Sequence, residues 1–363
     1  MKVAILIEKI EYGGIQSIGF GLAKMLNKNG DTVQIVHGVN KIGKFCRGIE
    51  KINLGKFIIP SFMPFISIKF IFKLACYLYK HKPDVIHSMG FPLGILASIL
   101  TFNKTTCIVT SQTKLRRGNK FLNRFFINFF VDKVIITSEY HKSIFPLNIN
   151  KNKFVIIPNM IELSSFDKDF YSQKHKIDIP LNKNILLSVG RLTHGKRVDI
   201  FLSIIQEIAK KDKNILGVIV GEGPARKELE ELTIKLNINK YVRFEGRVDN
   251  ILDYFNVSNI LVHTTELEIQ PMLLIEAGAF GLPVVCSNIG GNKSVINNHI
   301  NGLMPLNNTL KEYVNIIENL LSDELLTKTL VLKNKEVIGN KFSSNVVFNQ
   351  YCRLYKSNKK NNL

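Results

Sequence analysis

Cysteine is scarce and scattered: Cys46, Cys76, Cys107, Cys286 and Cys352 make an odd five with no paired spacing. That pattern argues against a disulfide framework or a zinc site and for a reducing compartment. Long apolar runs are missing as well. The best candidate, "FIIPSFMPFISIKFIFKLACYLY", is broken by Pro60, Pro64, Lys69 and Lys73, so it cannot supply the ~18–20 apolar residues of a spanning helix. The opening "MKVAILIEKIEYGG" has too short an apolar run for a signal peptide and reads as a first strand. There is no repeat, no low-complexity tract and no G-x-G-x-x-G fingerprint, which counts against a nicotinamide or flavin enzyme. Acidic residues are few in the first half. Residues 1–165 hold 23 Lys and Arg against 8 Asp and Glu, whereas residues 166–363 hold 26 against 21. The formal charge of +20 is therefore concentrated early in the chain and suggests an anionic partner: nucleic acid, acidic lipid or a phosphorylated ligand. A lysine-rich coding bias accounts for part of the charge but not for its asymmetry.

The 363 residues suffice for two domains, and 45% hydrophobic with 21% charged residues describes a globular chain with large cores. Short apolar runs alternate with helical patterns. "KVAILI", "TVQIVHG", "DVIHS", "TCIVTS", "KVIITS" and "FVIIP" are strand candidates in the first half, with helical patterns at 15–29, 66–81, 92–102 and 119–130. "NILLSVG", "LGVIVGEG", "VRFEG", "ILVHT" and "PVVCS" follow in the second, with helices near 198–211, 224–237, 249–257 and 271–280. Such β-branched runs fit parallel strands buried on both faces, so the expected class is α/β with two Rossmann-like units. The boundary is expected within the polar stretch 159–184. The domains read as 1–165 joined by a C-terminal helix at about 343–363, and 166–342.

In open parallel sheets ligands bind beyond the carboxyl ends of strands. "SVGRLTHGKRVD" sets Arg191 and Lys196 five apart in a loop with Gly190 and Gly195, able to close on a diphosphate beside a helix N-terminus. A solvated basic turn would look the same. "VGEGPARKELE" is a second strand–glycine–helix junction, containing Gly221. In "ELEIQPMLLIEAGAFGLPVVCS", Pro271 begins a helix and Gly281 ends it. Glu268 then precedes the helix, and Glu276 lies inside it among leucines, where a carboxylate wants donors such as sugar hydroxyls. The plain alternative is a helix glutamate facing water. Gly13 and Gly14 follow the first strand, and Gly290 and Gly291 open another helix.

In order and spacing these pieces resemble the retaining GT-B glycosyltransferases of the "glycosyl transferases group 1" type, family 4: Gly13–Gly14, "VGRL" followed by Lys196, "VGEGP", "FEGRV", and Glu268 and Glu276 leading to "GLPVV" and a glycine pair. The resemblance covers nearly the whole chain. It implies two Rossmann-like domains facing an interdomain cleft, with the C-terminal helix crossing back to the first domain. It implies sugar transfer from a nucleotide-diphosphate sugar, UDP before GDP, with retention, to a saccharide or polyprenyl- or lipid-linked acceptor in bacterial capsule, O-antigen or lipopolysaccharide synthesis. Arg191 and Lys196 match the pair that neutralises the leaving diphosphate, Glu268 the residue near the donor sugar, and Glu276 the one on the ribose hydroxyls. Gly13, Gly14, Gly190, Gly221, Gly290 and Gly291 would line the nucleotide sugar, with no cofactor and no metal required. The chain departs from the family pattern at Ile269–Gln270, Gln112, Met160 and Ser294.

"DKD" at 167–169 superficially matches a metal-binding DxD but falls in the linker. His87 is the one tempting base and reads better as structural. The segment 113–133 interleaves Lys114, Arg116, Arg117, Lys120 and Arg124 with five phenylalanines, and its helical spacing puts Leu122, Phe126, Phe129 and Phe130 on one stripe. That stripe could pack into the core while the cations meet the anionic inner leaflet, making the protein cytoplasmic and peripheral. Two other readings remain at this stage: a GT-B-fold UDP-sugar 2-epimerase, against which "GRL" and Lys196 speak, and a basic nucleic-acid binder, which would leave the glycine loops unexplained.

Overall fold

The computed structural model describes residues 1–7, 14–37, 50–53, 68–111, 120–145, 149–166, 177–180 and 182–360. The chain divides into two compact units, Met1–Asn159 with Asn345–Leu363, and Met160–Ser344.

The first unit carries a seven-stranded parallel sheet in the order β3-β2-β1-β4-β5-β6-β7. Its strands are β1 (Lys2–Ile7), β2 (Thr32–His37), β3 (Glu50–Asn53), β4 (Val85–Ser88), β5 (Thr106–Thr110), β6 (Lys133–Ile136) and β7 (Phe154–Ile156). In β1 every residue after Lys2 is buried, as expected for a strand covered on both faces. Helix α1 (Gly14–Lys28) joins β1 to β2, while α2 (Ile68–His81), α3 (Phe91–Leu100) and α4 (Lys120–Phe130) join β3 to β4, β4 to β5 and β5 to β6. Those three connections run the same way along the sheet. Right-handed crossovers therefore place α2, α3 and α4 in one layer, and α3 packs on both of the others. A short helix, α5 (Glu139–Ser143), follows β6.

The second unit carries a five-stranded parallel sheet, β10-β9-β8-β11-β12. Its strands are β8 (Asn184–Val189), β9 (Ile215–Val220), β10 (Val242–Gly246), β11 (Ile260–His263) and β12 (Val284–Cys286). The helices between them are α6 (Val198–Lys211), α7 (Arg226–Lys235), α8 (Leu252–Val257) and α9 (Met272–Phe280), followed by α10 (Gly290–Lys293), α11 (Leu310–Ser322) and α12 (Glu324–Phe342). Helix α6 shows why the alternation folds this way. Val198, Phe201, Leu202, Ile205 and Ile208 recur at helical spacing and are buried on the sheet, each contributing roughly 1.5–3 kcal/mol.

The last helix, α13 (Ser344–Asn358), returns to the first unit. His87 fixes it there: Nδ1 lies 2.5 Å from the Tyr355 hydroxyl and Nε2 lies 2.6 Å from Thr110 Oγ1. Full burial pushes the His87 pKa down to about 3, so the ring stays neutral. His87 is thus a structural histidine, as its apolar strand suggested. The phenylalanine stripe of α4 is arranged differently from the expectation. Ile127 is the buried residue, Phe126 and Phe130 are half-buried, and Phe129 stands 61% exposed in solvent. Among the described residues, no helix is long and apolar enough to cross a membrane.

Candidate active site

The second sheet reverses direction at β8. The chain moves outward to β9 and β10, then returns to lay β11 on the other side of β8. A crevice outside the carboxyl ends of two such strands is where open α/β sheets take ligands. The loop leaving β8 carries Gly190, Arg191 and Lys196, and the loop leaving β11 carries Glu268. These loops meet: Lys196 Nζ forms an ion pair with Glu268 Oε1, the side chains 27% and 22% exposed. Arg191 is exposed, and among the described residues no carboxylate pairs with it.

Threonines stitch the two loops together. Thr264 Oγ1 donates to the Arg197 carbonyl at 2.8 Å, and Thr265 Oγ1 donates to the Gly195 carbonyl at 3.1 Å. The Glu266 N–H donates to the same Gly195 oxygen at 3.0 Å. From the loop after β12, Ser287 Oγ donates to the Thr265 carbonyl at 2.5 Å, and Asn292 Nδ2 donates to the Ser287 carbonyl at 2.8 Å. Gly291 completes the contact. A β-carbon there would lie 1.9 Å from the Glu268 carbonyl oxygen, so only glycine lets α10 approach the loop that aims Glu268. The same argument applies to Gly221, at φ +137, whose β-carbon would lie 1.9 Å from the Gly190 carbonyl oxygen. Gly190 and Gly221 thus lock the loops after β8 and β9 against each other.

Arg197 occupies the left-handed region at φ 50, which costs a non-glycine residue about 1–2 kcal/mol. Its guanidinium bonds Asp199 at 2.9 Å and Glu266 at 2.6 Å, and those hydrogen bonds, Asp199 first, raise its pKa above the ordinary value. Glu276 lies in α9, which runs from a Pro271 cap to Gly281 in left-handed backbone, the bounds its sequence implied. Among the described residues no hydrogen bond or ion pair reaches its carboxylate, and burial raises its pKa.

His263, the last residue of β11, was quoted in a strand but not singled out by the sequence. It is 5% exposed, and its Nε2 has no hydrogen-bond partner and lies 3.8 Å from Glu268 Oε1. Burial, aided by Lys196, pushes its pKa down to about 3. The available signal was a histidine ending an apolar strand at the carboxyl edge of a sheet. The pairing of Arg197 with Glu266 was also missed, since it depends on a turn that no periodicity reports. Gly14 is the first residue of α1, in the other unit. Gly13, Gln112 and the "DKD" of 167–169 lie outside the described residues. Gly290 opens α10, and Ser294 Oγ donates to the Gly291 carbonyl at 2.6 Å.

A cavity of about 510 Å³ lies beside this crevice, between α6 and α7. Asp199, Glu228, Glu231 and Glu266 line it against Arg197 and Lys235, whereas Arg191, Lys196, Glu268 and Glu276 do not. Carboxylates outnumber cations there, and Arg197 is already paired with Asp199 and Glu266, so the cavity is set aside as a diphosphate site.

Two parallel-sheet α/β units, one with a cation–carboxylate pair at its switch point, fit the GT-B fold, and the class of protein follows from the comparison with known proteins. The Glycosyltransferase Family 4 model matches residues 12–165, and the Glycosyl transferases group 1 model matches residues 169–337. The chain belongs to this family of glycosyltransferases. It is 23% identical to the capsular polysaccharide biosynthesis glycosyltransferase CapM of Staphylococcus aureus over 313 residues, covering 81% of this chain and 82% of that one. It is 24% identical over 292 residues to an Escherichia coli UDP-Gal:alpha-D-GlcNAc-diphosphoundecaprenol alpha-1,3-galactosyltransferase, covering 74% of this chain and 76% of that one. HepE of Anabaena, solved in complex with UDP and glucose, shares the fold with a TM-score of 0.80 at 18% identity, covering 98% of this chain and 100% of that one. Membership displaces both the epimerase and the nucleic-acid-binding readings.

Proposed function

We propose that the protein transfers a sugar from a nucleotide-diphosphate sugar, UDP before GDP, to a saccharide or polyprenyl- or lipid-linked acceptor, with retention of anomeric configuration. The observation that carries the reading is the meeting of Lys196 and Glu268 at the switch point of the second sheet, with Arg191 exposed and free to meet an anion. Departure of the nucleotide diphosphate is the difficult part of the reaction. Lys196 would exchange Glu268 for a phosphate oxygen and, with Arg191, stabilise the developing charge without a metal ion. Glu268, released from Lys196, would face the donor sugar. Glu276, half-buried and with no partner among the described residues, would accept hydrogen bonds from the ribose hydroxyls. Gly290 and Gly291, at the start of α10, would bring backbone amides to the donor.

Relatives in capsule synthesis and in transfer to a diphosphoundecaprenol-linked sugar support a role in bacterial surface polysaccharide assembly. The deciding experiment is a panel of UDP- and GDP-sugars with membrane-extracted acceptor, reading nucleotide release and the anomeric coupling of the product. Release of UDP from one sugar, with an unchanged anomeric centre, is expected. Inversion overturns the mechanism, and silence across the panel overturns the donor class.

A further inference from the structure

Between Lys51 and Val131 the sequence holds twelve Lys and Arg and a single carboxylate, Asp84. Asp84 is already engaged: it accepts the Lys2 N–H at 2.8 Å and pairs with Lys359 at 3.1 Å. The layer formed by α2, α3 and α4 therefore contributes many cations and, Asp84 apart, no carboxylate of its own. Lys69, Lys73, Lys80 and Lys82 stand exposed on and just after α2, Lys104 follows α3, and Arg124 lies on α4. Among the described residues none of these six pairs with a carboxylate.

The same layer exposes large apolar side chains. Helix α2 buries Phe70, Leu74 and Leu78, and turns Ile68, Phe72 and Tyr79 outward at 85%, 67% and 82% exposure. The turn after α3 presents Phe102 at 85%, and α4 presents Phe125 at 45% and Phe129 at 61%. The patches on the turn after α3 and on α4 adjoin. Asn103 Nδ2 donates to the Phe129 carbonyl at 3.3 Å, and the Phe125 and Phe129 rings lie 4.5 Å apart. Among the described residues of the first unit, every strongly exposed large hydrophobic except Ile156 lies on this layer. Scattered exposed hydrophobics need no explanation, but a set gathered on one layer does.

We propose that the outer face of the α2–α3–α4 layer is a docking surface for an anionic lipid bilayer. The face joins the two contributions that hold an amphipathic surface at a membrane: rings and aliphatics to enter the acyl boundary, and unpaired lysines to meet acidic headgroups. Lys82 Nζ, 6.0 Å from the centre of the Tyr79 ring, places charge and ring at one level, as a headgroup region requires. The inference deepens the reading of a membrane-borne acceptor, on which its purpose rests, while the binding itself is measured without donor or acceptor. It extends the surface from α4 to a three-helix plane.

The test is co-sedimentation of the full chain with vesicles of phosphatidylcholine, alone or with about 30 mol % phosphatidylglycerol. Two variants are compared, Phe72→Ser/Tyr79→Ser/Phe129→Ser and Lys69→Glu/Lys73→Glu/Lys80→Glu, all at exposed positions, with thermal melts as the control for folding. The expected result is binding to the anionic vesicles alone, weakened at least roughly tenfold in either variant and by about 0.5 M salt. Nucleotide-sugar turnover with a water-soluble acceptor should be unchanged in both. Absence of binding to anionic vesicles, or equal binding by the variants, overturns the proposal. So does a wild-type dimer that the variants convert to monomer, which assigns the face to a second copy, or displacement of vesicles by a mixed oligonucleotide. Vesicle binding with no turnover on any nucleotide sugar leaves this inference standing and removes the proposed function instead.

Discussion

Lys196 and Glu268 neutralise each other in the resting site, so each holds the other in place until an anion arrives. Lys196→Ala should lower kcat/KM by roughly 100-fold or more, while the melting temperature stays within a few degrees. Full activity in that variant would remove Lys196 from the mechanism. Glu276 offers a sharper test, because function and stability should move in opposite directions. Desolvation of its half-buried carboxyl sets the folded pKa above the unfolded one, so above the folded value the charged form destabilises the native state. Glu276→Gln is therefore expected to raise the melting temperature at pH 7 and to raise the donor KM about tenfold or more, through loss of charge-assisted hydrogen bonds. A variant that melts lower and binds donor equally well would contradict both halves. His263 remains neutral down to about pH 3, so it is not the source of any break in the rate profile near pH 6.5.

At the level of elements, two close approaches set the geometry. In α10, Gly291→Ala would drive a methyl group into the Glu268 carbonyl, and backbone cannot yield as a side chain would. The expected outcome is a loss of about 2 kcal/mol or more in denaturant unfolding, together with loss of donor binding, because the displaced loop carries Glu268. In α13, Tyr355→Phe leaves the buried His87 Nδ1 without its partner and should cost about 1–3 kcal/mol. Hydrogen exchange should then rise first along α13 and at Thr106, whose Oγ1 donates to the Asn358 carbonyl at 2.5 Å. Protection unchanged in both places would show that the helix is held by packing alone.

For the whole molecule, pH sensitivity is divided between the units. His87 and His141, in the first unit, have pKa values pushed down to about 3 and about 4 by burial, and His263, in the second, is pushed down to about 3. Unfolding frees each ring to titrate near 6.5, so between about pH 6.5 and 4 the unfolded chain binds more protons and stability falls as pH falls. Each fully buried histidine contributes up to about 1.4 kcal/mol per pH unit. Thermal scans from pH 7 to 5 should move the first unit's transition more steeply than the second's. Equal shifts, or stability rising on acidification, would contradict the burial of these rings.

Much of this was legible in the chain. Apolar runs such as "KVAILI" and "LGVIVG" can only be strands covered on both faces, and α6 falls on the residues its period marks, Val198–Lys211. Strand β3, with the sequence "EKIN", and helix α12 had no such signature, since an edge strand and a helix with mixed faces take their shape from neighbours, whereas α11 carries a Thr309–Glu312 capping box and an apolar stripe of Tyr313, Val314, Ile317 and Leu320 that was legible and went unread. Local sequence establishes periodicity, caps and the residue types able to meet a diphosphate, because these depend on the backbone within a few residues. Which groups meet is a matter of strand order. The return of β11 to the side of β8 pairs Lys196 with Glu268, sets His263 beneath them and brings Gly291 against a carbonyl more than twenty positions earlier. The exposure of Phe129 and Tyr79 had the same origin: each helix has two apolar sides, and only packing on the sheet selects the one that is buried.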